Sequence, residues 1–172
     1  MPCGGNYEAK KSDVVIMLDP GMAFGTGHHP TTRICLEQLE HLIKPYMDVL
    51  DVGCGSGILS IAAAKLGARS VFGLEIDSVA VQAAKQNVQD NKTGYTVRIA
   101  QGSLPSTYIQ PLSYDIAVAN ISSKVISEIA SEIIKVVRPG GKLIASGILK
   151  ENMKSPEKML SSAGLTMEKT LI

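Results

Sequence analysis

With 172 residues, 45% of them hydrophobic, and a formal net charge of +1, the chain has the size of one domain with a full core and no basic footprint for nucleic acid. Three cysteines without C-x-x-C spacing (Cys3, Cys35, Cys54) argue against a disulfide framework or a zinc site, and the five Tyr and two Phe form no stacking array. There is no charged leader with an apolar run and no stretch near the ~20 apolar residues that a bilayer span needs; the expectation is a soluble cytoplasmic protein with no metal, no direct nucleic-acid contact and no membrane contact.

Residues 1–13 are polar and read as a leader or linker stub ahead of a domain over residues 14–172. Val14 to Leu18 is rich in β-formers and predicts a strand, ended by Asp19-Pro20-Gly21. A glycine-containing loop, Met22 to His29, leads into a helix with Pro30 in its first turn and Thr31 or Thr32 as cap; it carries Ile34, Leu36, Leu39, Leu42 and Ile43 and stops before Pro45. Val49 to Val52 is a short buried strand, Ile58 to Ala64 a helix, and Ser70 to Glu75 a second strand. A helix follows over Ser78 to Asn91, with Val79, Ala80, Ala83, Ala84 and Val88 on one face and Asp77 as its cap.

Tyr95 to Gln101 alternates as a third strand, and Tyr114 to Ala119 is an apolar fourth one, followed by Asn120. A helix capped by Ser122 or Ser123 points Val125, Ile126, Ile129, Ala130, Ile133, Ile134 and Val137 inward. Arg138-Pro139-Gly140-Gly141 is a turn, Lys142 to Gly147 a fifth strand, Pro156 to Gly164 a helix, and Leu165 to Ile172 the start of a sixth strand. Alternating strands and helices with apolar strands predict an α/β fold, a mostly parallel doubly wound sheet with helices on both faces.

The chain is organised around Val49-Leu50-Asp51-Val52-Gly53-Cys54-Gly55-Ser56-Gly57, a strand, tight turn and helix start in immediate succession. Glycines at 53, 55 and 57 admit positive φ and let a ligand approach the main chain, and the following helix offers unpaired N–H groups. A doubly wound sheet binds its ligand outside the carboxyl ends of its strands. Glu75 and Asn120 stand at two such ends, and Glu75 lies about twenty residues past the turn, where an acidic side chain accepts from a ribose diol.

Two features separate the candidate ligands. The spacing is G-x-G-x-G, one place short of the dinucleotide fingerprint. Asp51, just before the turn, would repel a pyrophosphate and suits a ligand with ammonium and sulfonium charges. S-adenosylmethionine is such a ligand; an NAD-dependent oxidoreductase on the same layout is the less favoured alternative.

The Asp-x-Gly-x-Gly-x-Gly turn with Glu75 resembles the class I S-adenosylmethionine-dependent methyltransferases, whose fold is Rossmann-like. A narrower likeness lies in D-P-G-M-A-F-G-T-G-H-H-P-T-T (Asp19 to Thr32), D-V-G-C-G-S-G-I-L-S-I-A-A (Asp51 to Ala63), G-L-E-I-D (Gly73 to Asp77) and V-A-N-I (Val118 to Ile121). Together these are similar to the PrmA family, methyltransferases of the large-subunit ribosomal protein L-eleven. The resemblance implies cofactor contacts at Thr32, Gly53, Glu75 and Asn120, and transfer of methyl groups to lysine side chains and the N-terminus of a ribosomal protein substrate. The family usually carries Asp where Glu75 stands and Thr where His28 stands. Its N-terminal docking domain and seventh strand are expected to be missing here, which leaves a monomer or a dimer through an open sheet edge.

The candidate cofactor set is therefore Phe24, Thr32, Asp51, Gly53, Gly55, Gly57, Glu75 and Asn120. Asn120 is also the catalytic candidate, orienting the acceptor amine or the methionine moiety. Phe24 reads equally as a core residue or as part of a lid on the cofactor. His29 is more often structural than a substrate contact, and Cys54 is a small apolar filler. The Pro-Pro-aromatic run of methyltransferases acting on adenine or glutamine amides is replaced by Ile121-Ser122-Ser123, which disfavours a flat π-bearing acceptor. A non-catalytic cofactor-binding module and a different protein or small-molecule acceptor are the further alternatives.

Overall fold

In the computed structural model the residues described are 10, 13–18, 29–149, 151 and 153–171. Five parallel strands form one sheet in the order β3-β2-β1-β4-β5. They are β1 (Asp48–Val52), β2 (Ser70–Glu75), β3 (Val97–Gln101), β4 (Tyr114–Asn120) and β5 (Val137–Ser146). The helices are α1 (Pro30–Leu42), α2 (Ile58–Lys65), α3 (Ser78–Asp90), α4 (Ser123–Val136) and α5 (Lys154–Ser162).

The pleat divides the core in two, because successive side chains of a strand face opposite sides. Val49, Val71, Val97, Ile99, Ile116 and Val118 pack with Cys35 and Leu39 of α1, Ile58 and Ile61 of α2, and Val81, Ala84 and Val88 of α3. Leu50, Val52, Phe72, Leu74, Ala117 and Ala119 face the other way, onto Ile129, Ile133 and Val136 of α4. Central β1 is buried along its whole length, as expected of a strand covered on both faces. The doubly wound α/β layout is thus present, with β1 and β4 meeting where the chain reverses its direction across the sheet.

Several local expectations need correcting. Val14–Leu18 forms no strand. Instead the side chain of Asn91 accepts from the Met17 N–H at 2.9 Å and donates to the Met17 carbonyl at 2.6 Å, while Lys65 Nζ donates to the Val15 carbonyl. Side-chain amide and ammonium groups meet backbone needs that a neighbouring strand would otherwise meet. Arg138-Pro139-Gly140-Gly141 is not a turn before a strand but an irregularity within β5, between the pairs Tyr114↔Val137 and Ile116↔Lys142. Residues 165–171 form no sixth strand.

Helix faces also shift. α1 buries Thr32, Cys35 and Leu39, and α3 buries Ala80, Val81, Ala84, Asn87 and Val88, leaving Val79 exposed. Neither Thr31 nor Thr32 caps α1. His29 does, its Nδ1 accepting from the Thr31 N–H at 3.3 Å.

At the amino ends of the strands, far from the glycine turn, Asp48 is gripped by Arg69 and by Arg138 at 2.9 Å, and Arg138 also donates to Asp115 at 2.6 Å. The Arg69 hydrogen bond holds the Asp48 carboxyl below its ordinary range, with Arg138 adding to the effect.

Candidate cofactor site

The turn after β1 is fastened to the end of β2. The N–H groups of Gly53 and Cys54 both donate to the Leu74 carbonyl, at 2.8 and 3.0 Å. Gly53, Gly55 and Gly57 have φ of 72°, 53° and 80°, a region that L side chains rarely adopt. Space adds a second demand. A Cβ at 53 would overlap Ile121 Cγ2, and one at 57 would lie 3.3 Å from the Cβ of Ala84. Backbone conformation favours glycine at all three positions, and packing excludes a side chain at 53. Gly57 also serves as N-cap of α2 without any side-chain bond.

Glu75 closes the turn from the β2 side. Its Oε2 accepts from the Gly55 N–H at 2.9 Å, and its Oε1 accepts from Ile76 and Asp77 N–H at 2.8 and 3.0 Å. A carboxylate has about four lone-pair positions, so one, on Oε2, remains for a ligand hydroxyl. The expectation that Glu75 serves two ribose hydroxyls at once needs a backbone bond to yield. Asp77 caps α3, accepting from the Val79 N–H at 2.8 Å.

Asp51 points to the α2 side of the sheet and is 1% exposed. Its Oδ2 accepts from the Ser60 hydroxyl at 2.6 Å, while Oδ1 has no hydrogen-bond partner among the described residues. Burial pushes its carboxyl up to about 6; hydrogen bonds from Ser60 oppose this, and the charge of Glu75 adds to it. An orphaned buried carboxylate oxygen beside a glycine turn fits a cationic ligand group and not a phosphate. Cys54 is buried and its thiol is pushed up, mainly by burial and then by the charge of Asp51. It behaves as the small filler expected.

Across the turn, at the end of β4, Asn120 Nδ2 donates to the Thr32 hydroxyl at 3.2 Å. Thr32 is 3% exposed. Burial raises the Cys35 thiol, one turn along α1, to about 11. Glu75, the glycine turn and Asn120 therefore stand at the carboxyl ends of three adjacent strands, with Thr32 delivered to Asn120 by α1. Phe24 and His28 lie outside the described residues.

Four residues of this arrangement are not among the candidate site residues read from the sequence. Ser60 is the partner of Asp51. Gly73, mid-strand in β2, leaves room that a Cβ would take from Ile99 Cδ1 (2.5 Å), Ser60 Oγ (3.1 Å) and Cys54 Sγ (3.2 Å); an isolated glycine in a strand is the signal that marks it. Asn87 is a polar residue on the buried stripe of α3 and donates to the Ser56 carbonyl at 2.9 Å. Ile121 covers Gly53; it closes the V-A-N-I block, but nothing in that block marks the contact.

A parallel sheet in this order, with an acidic residue closing a G-x-G-x-G turn and an asparagine at the end of β4, defines a Rossmann-like methyltransferase fold. A crystal structure of a ribosomal protein L11 methylase from Lactobacillus delbrueckii subsp. bulgaricus superposes with a TM-score of 0.84 at 32% identity, over 96% of this chain and 86% of that one. Curated ribosomal protein L11 methyltransferases from Listeria monocytogenes serotype 1/2a and Halalkalibacterium halodurans are 43% and 44% identical over 98% and 99% of the chain. The chain spans about half (54%) of the length of these relatives. Residues 1–172 match the family described as ribosomal protein L11 methyltransferase (PrmA), and the chain belongs to that family.

Proposed function

We propose that the chain binds S-adenosylmethionine over the glycine turn and serves transfer of its methyl group to amines of a ribosomal protein, at lysine side chains and the N-terminus. Family membership supports the acceptor class. The observation that carries the cofactor reading is the Glu75 carboxylate on the Gly55 N–H. A diphosphate would have to compete for that N–H against a fixed negative charge, whereas a ribose hydroxyl can donate to the free lone pair on Oε2.

The orphan Oδ1 of Asp51 fits the same ligand, since an ammonium would give it the missing partner. Thr32 and Asn120 hold each other at the opposite wall, and Asn120 retains its amide oxygen to orient the acceptor amine or the methionine moiety. Phe24 is proposed to pack on the bound cofactor. When bound, the cofactor supplies a methyl group already activated by sulfonium. The residues around it then have to place a neutral amine in line with that methyl, about 3 Å away, and exclude water. Equilibrium dialysis or calorimetry with S-adenosylmethionine tests binding, and a radiolabelled methyl assay on ribosomal protein L11 beside other acceptors tests transfer.

A further inference from the structure

Ile121, immediately after β4 and last in the V-A-N-I block, has no role among the candidate site residues yet meets two glycines at once. A Cβ on Gly53 would overlap its Cγ2, and a Cβ on Gly147 would come within 2.5 Å of its carbonyl oxygen and 3.3 Å of its nitrogen. Both glycines have positive φ, 72° and 82°. Gly53 begins the turn after β1 and Gly147 directly follows β5, and β4 runs between these two strands. The side chain of Ile121 therefore bears on one neighbouring loop and its backbone on the other. Its chain neighbour Asn120 is the residue bonded to Thr32.

We propose that Ile121 is a positioning residue: seated on Gly53 and backed by Gly147, it sets the height of Asn120 over the glycine turn and hence the approach of the acceptor amine. The inference rests on the methyl-transfer reading above. Its contacts on both sides include backbone that cannot swing away as a long side chain does, so the wedge is stiff. A displacement of roughly 1 Å at a reacting pair can cost about 100-fold in rate. An Ile121 that was only one more apolar residue against the α4 side of the core would affect stability and leave turnover of the folded enzyme alone.

The test compares the unaltered protein with Ile121→Val, which keeps Cγ2, Ile121→Ala, which removes it, and Gly147→Ala, which presses on the wedge from the other side. Methyl transfer to ribosomal protein L11, calorimetric affinity for S-adenosylmethionine and thermal midpoint are measured for each. Ile121→Val is expected to stay within about twofold in kcat, while Ile121→Ala and Gly147→Ala lose about 10- to 100-fold in kcat with cofactor Kd changed by less than about threefold. Should Ile121→Ala not fold, Gly147→Ala decides by the same criterion. Unchanged kcat in the folded alanine variants, kcat and cofactor affinity falling together, or loss of folding in both alanine variants would each overturn the inference. An unaltered protein that neither binds nor transfers would instead refute the methyl-transfer reading, and this inference with it.

Discussion

Asn120, the last residue of β4, donates to the Thr32 hydroxyl of α1 at 3.2 Å, joining two positions 88 residues apart at one end of the sheet. The bond makes the α1 start part of the candidate site and not merely a cover for the core. Thr32→Val keeps the shape and removes the hydroxyl, leaving the Asn120 amide with one bond fewer. Cofactor affinity is expected to fall about tenfold, equivalent to about 1.4 kcal/mol. A double-mutant cycle with Asn120→Ala should return a coupling of roughly 0.5–1.5 kcal/mol in stability. Additive losses in denaturant unfolding would show that the two side chains do not cooperate.

Glu75 organises the turn and, in the proposed site, is also the acceptor for a ribose hydroxyl, so its removal has two readouts. Glu75→Ala is expected to weaken S-adenosylmethionine binding by one to two orders of magnitude, about 1.4–3 kcal/mol. It should also speed amide hydrogen exchange at Gly55, whose N–H loses its acceptor. Calorimetry and exchange measured on the same preparation check both, and unchanged affinity would remove Glu75 from the site.

Asp51 gives a pH signature. Its folded value, about 6, lies above the ordinary 3.8. The carboxyl therefore contributes stability that is present below pH ~4 and lost as pH rises through about 6, on the order of 3 kcal/mol. Asp51→Asn should flatten that decline in urea midpoints taken between pH 4 and 7. An ammonium on Oδ1 favours the ionised form, so cofactor affinity should drop as pH falls below about 6 in the unaltered protein and not in Asp51→Asn. Parallel pH profiles for the two proteins would contradict this.

The Asp48 cluster has the opposite sign. Its carboxyl sits below the ordinary value because of Arg69 and then Arg138. Its stabilisation is present above pH ~4 and is lost as pH falls through the depressed folded value. Asp48→Asn should cost about 2 kcal/mol at pH 7, the scale of a hydrogen bond to a charged group. Because the cluster lies at the amino ends of the strands, cofactor affinity is expected to stay unchanged by calorimetry.

Much of the fold was legible because parallel strands buried on both faces leave short apolar runs, as over Ile116–Ala119 in β4. Ser70–Glu75 is delimited by sequence and structure alike, since Gly67 and Asp77 punctuate it. Residues 14–18 and 165–171 misled for one reason: β-rich composition predicts extended backbone but not a partner strand. The buried face of α1 departs from its apolar pattern because Thr32 and Cys35, which that pattern omits, both pack inward. In the site, glycines and acidic residues declare themselves by spacing. Ser60 and Ile121 do not, because their roles exist only once β1, β4 and α2 are assembled.

The most direct test of the central claim is a calorimetric titration of the protein with S-adenosylmethionine and, separately, with NAD. The account predicts saturable one-to-one binding of S-adenosylmethionine, weakened at least about tenfold by Glu75→Ala, and no heat from NAD. Saturation by NAD with none by S-adenosylmethionine would contradict it.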